Sequence, residues 1–117
     1  MNQAQAVSNR IITDQEVDRA LHFLINNAKE IGNAKARMVR AGHMLKHIEA
    51  LEYKLSNATN MEGRKADART SEKYLAAIEE DAIAAGEYET LKALREAAEL
   101  KIESWRSEQA TYRSMKL

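Results

Sequence analysis

The sequence of 117 residues has no cysteine and no proline, four glycines, one Phe and one Trp. Without cysteine there is no disulfide framework, no thiolate nucleophile and no Cys-ligated zinc. Without proline, and with glycine scarce, little interrupts a long helix. No apolar run approaches the ~20 residues of a membrane-spanning helix, and the N-terminal stretch lacks the pattern of a signal peptide. A charge excess is missing too, since eighteen basic residues balance eighteen acidic ones. What is present is 44% hydrophobic residues, much of it alanine, beside abundant Glu, Lys, Leu and Arg. That composition suits one all-α domain with a thin apolar seam and not a thick core.

Residues 1–12 carry no hydrophobic period and read as a flexible N-terminal tail ahead of a single helical domain, 13–117. Thr13-Asp14-Gln15-Glu16 then forms a capping box, with Ile12 as its hydrophobic staple. Apolar residues follow at Val17, Ala20, Leu24, Ile31, Ala34, Met38, Ala41, Leu45, Ile48 and Leu55. Apart from the slots held by Asn27 and Glu52, the steps are threes and fours, the spacing of a coiled-coil seam. One helix is predicted over 14–55, about 60 Å long at 1.5 Å per residue. Ser56-Asn57-Ala58-Thr59-Asn60 favours a turn, because these side chains compete for backbone hydrogen bonds. Asn60 offers a cap for a short helix that Gly63 would weaken, so within the connection 56–71, taken as a loop, the stretch 61–70 stays open between loop and short helix. A second helix, 72–115, carries the seam Tyr74, Leu75, Ile78, Ala82, Ala85, Tyr88, Leu91, Leu94, Ala98, Ile102, Trp105 and Tyr112.

Two helices of similar length joined by a polar loop predict an antiparallel αα-hairpin. Charge supplies an independent argument. Folding at the loop sets position i opposite roughly 127 minus i. The basic run Lys35, Arg37, Arg40, Lys46 then faces Glu79, Glu80, Asp81, Glu87 and Glu89. At the open end Asp14, Glu16 and Asp18 face Arg106, Arg113 and Lys116. Such pairs select orientation more than they add stability. Apolar residues off the seam, among them Phe23, Ile25 and Leu100, gather near Trp105 at that end. A second apolar face calls for more protein to cover it. A second copy, giving a four-helix bundle, is the first expectation, and a different protein is the competitor. Trp105 serves either as core anchor or as binding hot spot.

Candidate chemistry is sparse. His43 and His47 share a helix face, but the residues between them are Met44, Leu45 and Lys46. That is no His-Glu-x-x-His site, and a lysine opposes a cation. Glu79-Glu80-Asp81 diverge by about 100° per residue and cannot converge on one point. There is no phosphate-cradling loop, no nucleophile elbow and no Ser/His/Asp set, so neither enzyme activity nor a cofactor or metal is expected. The basic residues Arg40, Lys46, Lys54, Arg64, Lys65 and Arg69 cluster towards the hairpin tip beside Tyr53 and Tyr74. Clustered cations with aromatics suit single-stranded nucleic acid. Zero net charge weighs against that use and favours neutralisation by the acidic stretch of the second helix.

Glu62-Gly63, Ala66, Arg69 and Tyr74, followed by an Ala/Glu-rich helix closing on Glu103-Ser104-Trp105-Arg106-Ser107 and Arg113, give a further lead. Over roughly 61–117 this pattern resembles small uncharacterised coiled-coil proteins of tailed bacteriophages. The resemblance implies a phage or prophage accessory protein of the host cytoplasm that acts by protein–protein binding, with genes of recombination and replication nearby. A phage structural or assembly component is the remaining alternative. No active site comes with the resemblance.

Overall fold

The computed structural model describes residues 12–115. The expected tail therefore lies, Ile12 aside, outside the described residues, as does Lys116. The described residues are all-α, with α1 over Asp14–Leu55, α2 over Met61–Thr70 and α3 over Glu72–Met115, and no strand among them. None of these helices is long and apolar enough to cross a membrane.

The start of α1 follows from its cap: the Glu16 N–H donates to Thr13 Oγ1 at 3.1 Å. Asp14 and Glu16 in the first turn and Lys54 in the last complement the helix dipole. Gly32 and Gly42 sit inside α1 without ending it, because neither has a positive φ. The loop expected over 56–71 is largely a helix. Asn60 caps α2 by accepting the Gly63 N–H on Oδ1 at 2.7 Å. Gly63 serves this turn instead of weakening it. A Cβ built there would lie 2.9 Å from the Ala58 Cβ and 3.0 Å from Asn60 Oδ1, so the chain doubles back too closely for any side chain. The N–H of Ala58 donates to Ser56 Oγ, whose hydroxyl in turn donates to Asp67 Oδ2 at 2.6 Å. Arg64 Nε donates to the Ala58 carbonyl, and its guanidinium lies 5.8 Å over the Tyr53 ring. Ala68 is fully buried beneath these contacts. Ser71 then ends α2 and begins α3: its hydroxyl donates to the Ala68 carbonyl and accepts the Tyr74 N–H.

The chain divides into two compact units, one of Met1–Lys29 with Lys92–Leu117 and one of Glu30–Leu91. In the first, Val17 and Ala20 of α1 and Ala98 of α3 are buried. In the second, Ile31, Ala34, Ala41, Ala68, Ala77, Ala84 and Tyr88 are buried. Among the buried and half-buried positions of α1 are 17, 20, 24, 27, 31, 34, 38, 41, 45, 48 and 52. They follow the predicted seam up to Ile48, after which Glu52 is half-buried and Leu55 is 69% exposed. Asn27 fills its polar slot by donating Nδ2 to the Phe23 carbonyl at 3.0 Å.

The α3 seam departs from the expectation in its first half. Tyr74, Ala77, Asp81, Ala84, Tyr88 and Leu91 turn inward, while Leu75, Ile78 and Ala82 are exposed. Further along, Leu94 is exposed and Arg95 half-buried. On this part of α3 the fully inward positions between the two tyrosines are the small Ala77 and Ala84, while its large aliphatics Leu75, Ile78 and Ile83 are left outside. No large side chain among the described residues is fully buried.

Candidate interaction surfaces

The open-end set predicted as an interface separates into two kinds. Phe23 and Trp105 are half-buried, whereas Ile25 and Leu100 are exposed by 72% and 67%. Trp105 Nε1 donates to Asp14 Oδ1 at 2.7 Å, tying α3 to the first turn of α1. A half-buried indole with its one donor used inside the chain acts as an anchor. Ile25 and Leu100 remain available to a partner.

The charge match is selective. Arg37 pairs with Glu87, so residue 87 stands where the simple folding rule puts residue 90. Asp14 meets Trp105 instead of a residue near 113. Arg106 pairs with Glu103 on its own helix, and Arg113 donates to the Gln109 carbonyl. Asp81, placed by sequence in an acidic face, is half-buried and stands 3.7 Å from a Cβ built on Gly42. Glu79 and Glu80 are exposed. His43 and His47 are exposed as well, and no group of three or more His, Asp or Glu residues among those described is placed to hold a metal ion.

The basic cluster also divides. Arg69 Nε is held by Glu49 Oε1 at 3.3 Å, and Arg64 is spent on the Ala58 carbonyl and the Tyr53 ring. These two arginines fasten α2. Lys46, Lys54 and Lys65 line one open groove of about 390 Å³ with Glu49, Ala50 and Tyr53. Among the described residues none of these three lysines has an ion-pair partner. Neutralisation by the acidic stretch, expected from the sequence, reaches Arg37 and not these lysines. Arg40 is exposed and likewise unpaired among the described residues, but it does not line the groove. Tyr74, a candidate for base stacking, is half-buried on the α3 seam.

Exposed apolar residues are also found in Glu30–Leu91: Val39, Met44, Leu51, Leu75, Ile78 and Ile83 are all exposed by more than 40%. Val39 and Ile83 lie off the predicted seam, as the sequence pattern has them, whereas Leu75 and Ile78 belong to the predicted seam. With these surfaces described, the comparisons add no relative: no protein-family model, no curated protein and no solved structure matches the chain.

Proposed function

We propose that the chain is a non-enzymatic helical interaction protein of phage or prophage origin, acting by protein–protein binding in DNA recombination or replication. It is an antiparallel αα-hairpin that self-associates into a four-helix bundle and presents its remaining surface to a second protein. Three contacts support the hairpin: Trp105 with Asp14 in one unit, and Arg37 with Glu87 and Glu49 with Arg69 in the other. The phage setting rests on the resemblance over 61–117.

The observation that carries the reading is an inversion of the usual core. Seven of the ten buried residues among those described are alanine, and large aliphatic side chains stand in water on both long helices. Burying a Leu, Ile or Met is worth about 1.5–3 kcal/mol, so a set of such residues left outside favours association strongly. Sedimentation equilibrium over a wide concentration range tests this. A dimer mass is expected, and a monomer mass at every concentration would remove the bundle.

A second reading, direct binding of single-stranded nucleic acid, is favoured by the unpaired lysines of the Tyr53 groove. It makes a quantitative prediction. Three lysines on phosphates give a log–log salt slope of about −2, and Lys54→Ala reduces its size by about 0.7. Titration of a labelled oligothymidylate at several salt concentrations measures both. No binding at low salt would exclude this reading.

A further inference from the structure

Within Glu30–Leu91, α1 and α3 enclose an apolar groove of about 330 Å³ with Met44 and Ile48 on one wall and Ala76 and Ala77 on the other. Met44 is 49% exposed, and Leu51, two turns further along the same face, is 44% exposed. The floor is therefore larger than the chain itself covers. Its α3 rim carries one cation and one anion, Lys73 and Glu80. Both are exposed, and among the described residues neither has an ion-pair partner.

The placement of these two charges identifies the occupant. They stand two turns apart, about 10.5 Å along the axis, with Ala76 and Ala77 midway between them. A two-fold axis through that midpoint, perpendicular to α3, exchanges the position of Lys73 with that of Glu80. A second copy of the same face, brought up by this rotation, lays each cation against the other copy's anion. Two equivalent ion pairs then flank a shared apolar centre, which is the self-complementary pattern of an isologous interface. Ala76, small and exposed at the midpoint, permits close backbone approach. A polyanion or an anionic membrane would meet Glu80 unfavourably.

We propose that a second copy of this chain docks on the Met44–Ile48 groove across a two-fold axis between Ala76 and Ala77, with Lys73 of each copy paired to Glu80 of the other. This rests on the self-association reading and names its contact.

The test is a charge-reversal cycle on the full chain. Lys73→Glu and Glu80→Lys each place like charges together at both ends of the interface. Each is expected to raise the dimer dissociation constant about tenfold or more. The double variant Lys73→Glu/Glu80→Lys restores both pairs and returns dissociation to near the native value. Within one chain the two sites are two turns apart on one helix, so only an intermolecular pairing explains such a rescue. Met44→Asp weakens the dimer as well, and far-UV circular dichroism checks that each variant keeps its helices. Several outcomes overturn the proposal while leaving self-association standing: single reversals without effect, a double variant no better than the singles, or oligonucleotide binding that Lys73→Glu abolishes while the dimer persists. A wild-type chain that is monomeric throughout ends both together.

Discussion

Replacing Trp105 with alanine should destabilise the chain by about 3 kcal/mol and lower the melting temperature by roughly 10 °C. Full burial of tryptophan would justify the upper end of the 3–5 kcal/mol range for such truncations, and half-burial reduces it. Two effects add. The indole is the largest side chain in its unit and is half-buried, so its removal exposes apolar surface that an alanine cannot cover. Its Nε1 also holds Asp14 Oδ1, binding the first turn of α1 to α3. The hydrogen bond is the smaller term, about 1 kcal/mol, because Asp14 is exposed and water replaces the donor. Trp105→Phe separates the two. It keeps most of the ring packing, loses the donor, and should cost about 1 kcal/mol. Thermal unfolding followed by circular dichroism measures both variants. If Trp105→Ala melts like the native chain, Trp105 is a partner contact and not an anchor.

The helices were legible because their signals are local. Thr13 capping Glu16, the three-four steps from Val17 to Ile48, and Ser71 capping Tyr74 all act within one or two turns, where chain order dictates geometry. α2 was left open between loop and short helix for a reason that is not local. Gly63 counts against a helix on propensity, yet the close approach of Ala58 and Asn60 requires it. A propensity scale sees the entropic cost of glycine and not the neighbour it accommodates.

The α3 error has a related cause. From Tyr74 to Tyr88 two routes satisfy a helical face, one through Leu75, Ile78, Ala82 and Ala85, the other through Ala77, Asp81 and Ala84. Hydrophobicity favours the first, and strict three-four alternation favours the second. Alternation won: the strict three-four route puts Asp81 half-buried on the inward side beside Gly42, and Leu75, Ile78 and Ala82 outside. The candidate surfaces were legible only as composition. Six clustered cations could be counted, but it took contacts to divide them into two arginines that fasten α2 and three lysines that share a groove.

Seam width also sets the second large expected effect. Ala84 is 1% exposed, in a unit whose inward positions also include Ala34, Ala41 and Ala77. Ala84→Leu adds three carbons, and if a void received them burial would stabilise by about 2 kcal/mol at ~0.8 per carbon. A side chain only 1% exposed is enclosed on all sides and leaves no such void, and overpacking costs about 1–3 kcal/mol or more through off-rotamer side chains and helix displacement. The second effect should win, because the larger side chain displaces what encloses Ala84 while the added carbons gain only partial burial. The expected result is a net loss of about 2 kcal/mol, read as a lower denaturation midpoint in urea. Ala82→Leu, on the exposed side of the same helix, should change stability by less than about 0.5 kcal/mol and serves as the control. The sign of the Ala84 result bears directly on function. If Ala84→Leu stabilises, the seam has room to spare, and nothing forces Met44, Leu51, Leu75 and Ile78 to remain outside. If it destabilises, the narrow alanine seam is what turns those side chains outward, and burying them requires a second polypeptide.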